Sequence, residues 1–417
     1  MKLFRIDIDR WEEILITITR NKTRSLLTAF GIFWGIFMLV ALMGGSQGLQ
    51  DMMAANFEGF ASNSGFTAYN KTSKAYKGFR KGRRWSMEMS DIERIRKAVP
   101  GIDILTPSNA KWGIRGTYDK KQIKGCSMKG VYPEYGEIEA PVMTMGRFIN
   151  HIDVREQRKV CVIGKQIYET LFPDGGDPCG KYINVNGTYF QVIGVNMSAG
   201  NMGVNGWPPT AFTIPFSTMQ KNYNFGRDIQ LLCYTAKEGY AIKDIQERIE
   251  PVLKQAHLIH PDDKQAVMNV NAEAMFSMVD NLFRGIKILS WMVGLGTLLA
   301  GAIGVSNIMM VTVKERTTEI GIRRAIGAKP RDILTQILSE SMVLTTLAGM
   351  AGISFAVFIL NMMELGTARS ATPAHFQISF WAAVGACVIL ILLGMFAGLA
   401  PAWRAMAIKP IEAIRDE

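Results

Sequence analysis

Four stretches of the 417-residue chain, 26–45, 288–313, 333–363 and 378–403, hold a single charged side chain among them, Glu340. A hydrocarbon core about 30 Å thick is crossed by about 20 apolar helical residues, and each stretch reaches that length. They read as four transmembrane helices. Charged residues make up 20% of the chain, below the roughly 25% of a soluble protein, and the deficit is concentrated in these stretches. The pattern excludes a soluble enzyme, a disordered chain and a small disulfide-knotted secreted domain. It also removes nucleic acid as the reading of the net charge of +11, because membrane proteins gather Lys and Arg on their cytoplasmic side.

The basic residues orient the chain. Lys2, Arg5, Arg10, Arg20, Lys22 and Arg24 precede the first stretch, Lys314, Arg316, Arg323, Arg324, Lys329 and Arg331 lie in 314–332, and Arg404, Lys409 and Arg415 follow the last, whereas 364–377 has Arg369 alone. The expected division is therefore a cytoplasmic amphipathic helix over 1–25, spans at 26–45, 288–313, 333–363 and 378–403, an outer segment at 46–287, a cytoplasmic helix and loop at 314–332, a short outer loop at 364–377, and a cytoplasmic tail at 404–417. The first stretch is longer than the roughly 7–15 residues of a signal-peptide core, so it reads as a retained anchor. Trp11, Ile14, Leu15 and Ile18 share one helical face, as in a helix lying on a membrane surface; packing on another protein fits the same pattern.

The outer segment is long enough for two small subdomains. Its ends read as helices: 46–60 continues the first span, and Glu273–Leu289 leads into the second, together forming a stalk. Ser90–Val99 looks like a helix with Ser90 as its N-cap and Glu93 completing a capping box. Val160–Ile163 and Tyr182–Val185 look like strands, Asn186-Gly187 like a hairpin turn returning through Thr188–Val195, and Ala241–Ala256 like an amphipathic helix. Ser198–Pro209, with three glycines and two prolines, reads as a mobile loop. The fold class is an α-helical membrane protein with four transmembrane helices and a large α+β domain inserted between the first and second.

Small residues recur four apart at Gly31/Gly35, Gly44/Gly48, Ala300/Gly304 and Gly394/Gly398. Such pairs let helices approach closely in lipid, in a bundle or at a dimer seam. Glu340, near the cytoplasmic end of its span, is an intramembrane carboxylate and so a functional candidate, though at this depth a structural role is favoured, reaching the interface or pairing with a neighbouring helix.

Three apparent sites fail on chemistry. Gly175–Tyr182 nearly spells a phosphate-binding loop, but Tyr182 stands where a magnesium-binding hydroxyl belongs and the segment leads into a strand. His257 and His260, followed by Asp262 and Asp263, lack a third imidazole for a metal. Cys126, Cys161, Cys179 and Cys233 lie in the outer segment without a CxxC, and their pairing is open; Cys387 is at lipid depth.

The richest cytoplasmic element is Lys314-Glu315-Arg316-Thr317-Thr318-Glu319-Ile320-Gly321-Ile322-Arg323-Arg324-Ala325-Ile326-Gly327-Ala328-Lys329-Pro330. Glu319 and Arg323 form an i,i+4 pair in the favourable order, and Gly327 followed by Pro330 is a helix stop. Gly321 costs a helix interior about 1 kcal/mol relative to Ala, which suggests that another backbone comes close. A short charged helix between two spans suits docking on a cytoplasmic partner.

That run, with Asn21–Thr28 entering the first span, Gln336 to Glu340 in the third, Lys409–Arg415 at the C-terminus, and Met145–Phe148, Val162–Gly164, Leu171–Pro173 and Gly180–Val195 in the outer domain, resembles the permease of MacB-type (FtsX-like) ABC transporters over nearly the whole chain. The resemblance implies a bacterial inner-membrane permease, paired with itself or with a related permease. A cytoplasmic ABC ATPase would drive it, with ATP and magnesium held on that partner and no cofactor or catalytic residue on this chain. It implies a coupling helix at Glu315–Ala328, comprising Glu315, Arg316, Glu319, Ile320, Gly321, Ile322, Arg323, Arg324, Ala325, Gly327 and Ala328. A periplasmic adaptor and outer-membrane channel, and membrane lipid, are further expected partners. The family's namesake carries its ATPase on the same chain; this sequence has no such domain, so a separate polypeptide is expected to supply it. Export of a peptide, drug or similar substrate is the leading expectation. The alternatives are a lipoprotein-releasing permease, an FtsX-like regulator of cell-wall hydrolases, whose family has a much smaller outer domain, and a non-transporting membrane anchor or receptor.

Overall fold

The structure, a computed structural model, describes residues 22–56, 59–198, 203–367 and 375–408. The amphipathic pattern at Trp11–Ile18, the motif at Lys409–Arg415 and Gly200 lie outside the described residues. The chain divides into two compact units: Met1–Met52 with Leu282–Glu417, and Met53–Asn281.

The membrane unit is built on four helices long and apolar enough to cross a membrane, Lys22–Asn56, Ala272–Glu315, Pro330–Thr367 and Phe380–Met406. With 35 and 44 residues, the first two extend about 52 and 66 Å at about 1.5 Å per residue, well beyond a core about 30 Å thick. Both are thus longer than a span requires: the helix expected over 46–60 is continuous with the first span to Asn56, with Phe60 already in a β-bridge to Glu139, and the one expected over Glu273–Leu289 is continuous with the second. Ile32, Ile36 and Leu39 of the first helix pack with Leu298, Ala302 and Val305 of the second, Ala348 and Ala356 of the third, and Leu390 and Ala397 of the fourth.

Small residues set the closest approaches. A Cβ at Gly301 would lie 3.2 Å from backbone atoms of Gly31 and Ile32, and one at Gly352 would lie 2.6 Å from the Phe33 carbonyl oxygen. The first span thus touches both the second and the third through backbone, as expected where dispersion contacts replace the hydrophobic drive. Gly44 and Gly48 face Leu360 and Phe376, and Gly394 and Gly398 face Thr345 and Ser341. In the Ala300/Gly304 pair the expectation shifts by a few residues: Gly304 meets open space, and Gly301 makes the contact. Inside the unit the Ser341 hydroxyl donates to the Gly394 carbonyl at 3.0 Å.

In the outer unit the strands are β1 (Ser64–Tyr69), β2 (Met87–Glu88), β3 (Ile102–Tyr118), β4 (Lys121–Val131), β5 (Met143–Gly146), β6 (Val160–Gly164), β7 (Tyr182–Val185), β8 (Thr188–Asn196), β9 (Ala211–Pro215), β10 (Asp228–Ile229), β11 (Leu231–Ala236) and β12 (Val267–Asn271). A ten-stranded mixed sheet runs β12-β1-β11-β3-β4-β9-β6-β8-β5, with β7 against β3 and β8; β2 and β10 pair separately. The 17-residue β3 serves two lobes. Its first part pairs with β11 and its second with β4, the latter with register shifts on either side of Ile114.

One lobe buries Ile92 and Ile95 of the helix Met89–Ala98 and Ile242, Ile245, Ile249 and Leu253 of the helix Ile242–Ala256 against Leu232, Tyr234 and Val267. The spacing of those four residues is one helical face. The other lobe buries Ile114, Met128, Ile163, Ile183, Phe190 and Phe212 with Ile167 and Leu171 of the helix Lys165–Leu171. The α+β reading, the β7–β8 hairpin and the amphipathic helix all stand. The turn Asn186-Gly187 has φ of 47° and 89°, as a type I′ turn requires.

The Ser90 cap does not stand. The helix starts at Met89, and the buried Asp91 carboxylate accepts the Glu88 N–H at 2.8 Å, placing the cap two residues earlier. In the Gly/Pro-rich loop, the described part is tied down: the Tyr135 hydroxyl donates to the Val204 carbonyl at 3.2 Å, and the Asn205 amide to the Ser108 hydroxyl at 3.0 Å. All five cysteines are free thiols, and Cys126, Cys161 and Cys233 are buried.

Candidate functional site

The link between the second and third spans is folded throughout. After Glu315 a new helix runs Thr317–Ala325. It ends as the sequence predicts: Gly327 takes a φ of 111°, its N–H donates to the Arg324 carbonyl at 3.1 Å, and the Ala328 N–H donates to the Arg323 carbonyl at 3.0 Å. This pair of bonds is a Schellman motif, which favours glycine at the left-handed position. The Asp332 carboxylate then accepts the Lys329 N–H at 3.2 Å, opening the third membrane helix with Pro330 in its first turn. Sequence reading missed this cap, although Pro-Arg-Asp after a glycine stop carries the signal.

The charges of the link are turned on the chain itself. Arg316 donates through Nε and Nη2 to the Glu319 carboxylate at 3.0 and 3.1 Å and through Nη1 to Glu340 at 3.2 Å. Arg323 Nη2 reaches Glu319 at 2.9 Å and its Nη1 donates to the Gln336 amide oxygen at 3.3 Å. Arg324 donates to the backbone carbonyls of Met406, at 2.9 Å, and Ile408, at the end of the fourth membrane helix. Glu340, 4% exposed, would be costly as an isolated ion and is tolerable as a hydrogen-bonded one. The hydrogen bond to Glu319, followed by the charge of Glu340, pushes the Arg316 pKa up despite partial burial. The expected pairing role of Glu340 is thus given a partner, Arg316, that the sequence did not specify. The cavity bordered by Arg316, Glu319, Arg323, Gln336 and Glu340 is about 20 Å³, room for about one water.

Apolar residues divide between two faces. Ile320 is buried with Val313, Ile333, Ile337, Ala402 and Ala405. Gly321 is also buried by the chain itself. On the opposite side Ile322 is 46% and Ile326 83% exposed, and Glu315 and Ala325 are exposed beside them, while Ala328 is half-buried. The structure brings Arg316, Glu319, Ile320, Gly321, Arg323, Arg324 and Glu340 together as an internal cluster and leaves Glu315, Ile322, Ala325 and Gly327, with Ile326, on the outer face. The arginines of the element are thus held by the chain itself, and Ile322 and Ile326 stand exposed.

The rejected sites have other partners. Lys181 lies over the Phe172 ring, 5.1 Å from its centroid, and Gly180–Lys181 leads into β7. His257 Nε2 lies 2.7 Å from Asp91, and Asp263 is occupied by loop hydrogen bonds. Burial and this hydrogen bond act oppositely on Asp91, and its pKa ends below the ordinary carboxylate value.

Residues 25–252 match the MacB-like periplasmic core domain family, and residues 291–410 the FtsX-like permease C-terminal family. The macrolide export ATP-binding/permease protein MacB of Bdellovibrio bacteriovorus is 28% identical over 410 residues, covering 96% of this chain and 60% of that protein. The pyoverdine export ATP-binding/permease protein PvdT of Pseudomonas fluorescens is 27% identical over 399 residues, covering 95% of this chain and 58% of its own length. The chain thus spans about three-fifths of the length of these relatives. The crystal structure of the periplasmic region of MacB from Actinobacillus actinomycetemcomitans aligns at TM-score 0.42 with 19% identity, over 54% of this chain and 96% of that one. With both family matches laid along four membrane helices and one outer α+β domain, the chain belongs to the MacB-like, FtsX-like family of ABC transporter permeases.

Proposed function

We propose that this permease transmits the motion of an ATP-hydrolysing partner in the cytoplasm to its outer domain to drive export, and that the link Glu315–Ala328 is where the partner docks. The observation that carries this reading is the division of the link: its charges clamp it to the third and fourth membrane helices, while Ile322 and Ile326 stand out of it. A brace held in this way transmits a push to several spans at once, whereas a solvated loop would absorb it. The fifteen-to-one asymmetry of basic residues supports an inside location for both termini and the link, and an outside location for residues 46–287.

ATP and magnesium are held by the partner. A second permease chain, the same or a related one, seats along the groove of about 400 Å³ lined by Leu27, Phe30, Gly31, Trp34, Ala300 and Gly304, where small residues admit a close helix. The names of the relatives support export of a small or peptide-like compound.

A photo-crosslinking amino acid at position 326 tests the docking. It is expected to capture an ATP-hydrolysing polypeptide in cells, whereas the same probe at the exposed span position 311 captures none. Equal capture at both positions, or capture at 311 alone, would overturn the assignment.

A further inference from the structure

Between β1 and β2 the outer unit carries seven Lys/Arg and no acidic residue in residues 71–84. The segment is folded. Tyr76 and Phe79 exchange backbone hydrogen bonds at 3.1 and 2.9 Å around Lys77 and Gly78, whose φ values of 44° and 87° make a two-residue hairpin turn. The buried Asp263 carboxylate accepts from the Ser73 N–H and hydroxyl, each at 2.7 Å, and from the Lys74 N–H at 3.1 Å. Arg83 donates to the carbonyls of His257 and Leu258 and lies over the Phe79 ring, 4.1 Å from its centroid.

Arg83 is therefore used in holding the segment. The other six, Lys71, Lys74, Lys77, Arg80, Lys81 and Arg84, are exposed, and among the described residues none makes an ion pair. Six like charges held together on a folded hairpin repel one another, an arrangement that an opposite charge relieves.

Beside the hairpin lies a cavity of about 460 Å³, lined by Tyr76, Lys77, Pro251, Leu258, Ile259 and Pro261 and bordered by Glu247 and by Glu250, which is ion-paired with Lys254. Its apolar floor is more than a simple polyanion needs. With Glu247 at its rim and Glu250 already paired with Lys254, the cavity suits an uncharged apolar side chain better than a charged headgroup, as a polypeptide offers whose carboxylates lie along the hairpin instead. The strands place the surface as well. β1 runs from near the chain's entry into the unit to the hairpin, and antiparallel β12 runs back to where the chain leaves it. The hairpin is thus at the end of its lobe remote from the entry and exit of the chain, about 17 Å along five residues of strand.

We propose that Lys71–Arg84 and the adjoining cavity form a docking surface for an acidic segment of a partner protein, its carboxylates along the hairpin and one bulky apolar side chain in the cavity. This stands independently of the coupling role of Glu315–Ala328.

The test uses the full chain in nanodiscs of phosphatidylcholine and, as probe, a fluorescent peptide of alternating Glu and Asp with one central Leu, read by anisotropy. The parent is expected to bind it at least about tenfold more tightly than the Gln/Asn counterpart, with affinity falling as salt rises. Replacing the peptide's Leu by Gly is expected to weaken binding. The variant Lys74→Glu/Lys77→Glu/Lys81→Glu is expected to lose at least about tenfold in affinity, and the charge-matched variant Lys120→Glu/Lys124→Glu/Lys237→Glu to keep it. Equal loss in both variants, or no preference for the acidic peptide, would overturn the proposal. So would binding of phosphatidylglycerol vesicles through the same lysines without binding of the peptide, which would assign the surface to lipid.

Discussion

Residues 314–331 and residues 71–84 are the two dense basic segments of the described chain, with six and seven Lys/Arg, yet the fold uses them in opposite ways. In the first, Arg316, Arg323 and Arg324 are turned inward on Glu319, Glu340, Gln336 and backbone carbonyls, while Ile322 and Ile326 are exposed along with Lys314, Glu315, Lys329 and Arg331. In the second, one arginine holds the hairpin and six cations face out. A run of Lys and Arg is a structural device where carboxylates and carbonyls come to it, and a recognition surface where none do. Sequence spacing alone does not separate the two cases, because Glu340 is 24 residues from Arg316.

The largest expected effect is on the inward-turned set. Arg316→Met removes the guanidinium that buried Glu340 accepts from at 3.2 Å, and breaking a buried pair by removing one partner costs about 3–5 kcal/mol. The purified permease should unfold at a distinctly lower temperature, and adding Glu340→Gln should recover part of the loss. A melting temperature unchanged by Arg316→Met would break the comparison on this side.

A smaller, local effect is expected at the anchor of the hairpin. Burial raises the pKa of Asp263, but hydrogen bonds from the Ser73 hydroxyl and from the Lys74, Ser73 and Gln265 N–H groups outweigh it and hold the value down at about 2. In the unfolded chain an Asp titrates near 3.9. Because the folded value is the lower, the stabilisation is fully present above about pH 4 and is lost as pH falls toward about 2. Pepsin should cut at Tyr76 or Phe79 progressively faster over that window, and Asp263→Asn should be cut readily already at pH 4. Cleavage of the parent that does not change between pH 4 and 2 would contradict the anchor.

Smaller again is the effect of removing outward charges. Lys74→Ala/Lys77→Ala/Lys81→Ala should leave stability within about 0.5 kcal/mol of the parent, since all three are exposed, none makes an ion pair among the described residues, and Lys77 loses only a long contact over the Tyr76 ring, 5.5 Å from its centroid. A fall as large as that of Arg316→Met would mean that these lysines are structural after all.

The architecture was legible because membrane helices and hairpins declare themselves locally: charge-free stretches gave the four spans, and Asn186-Gly187 gave the β7–β8 turn. β1, β9 and β11 were not legible, since buried strands lack alternation, and β3 hides two partners within one continuous run. At the candidate site the charge pair Glu319/Arg323 and the glycine stop were readable from spacing. The third-helix partner of Arg316 and the burial of Gly321 were not, because both depend on how the helices pack. The cationic hairpin went unremarked in the sequence because its meaning lies in the absence of neighbouring acids, which only the fold displays.

The central claim, that the inward charges stiffen the link so that its outward ridge can receive an ATPase, is tested most directly by Ile322→Asp/Ile326→Asp in the full-length permease. Both side chains are exposed, so stability should stay within about 0.5 kcal/mol of the parent. Affinity for the ATP-hydrolysing partner, measured on permease in nanodiscs, should fall by at least about tenfold, as expected for apolar anchors at the centre of an interface. Parental affinity in this variant, with the fold intact, would contradict the account and leave the link as a structural brace alone.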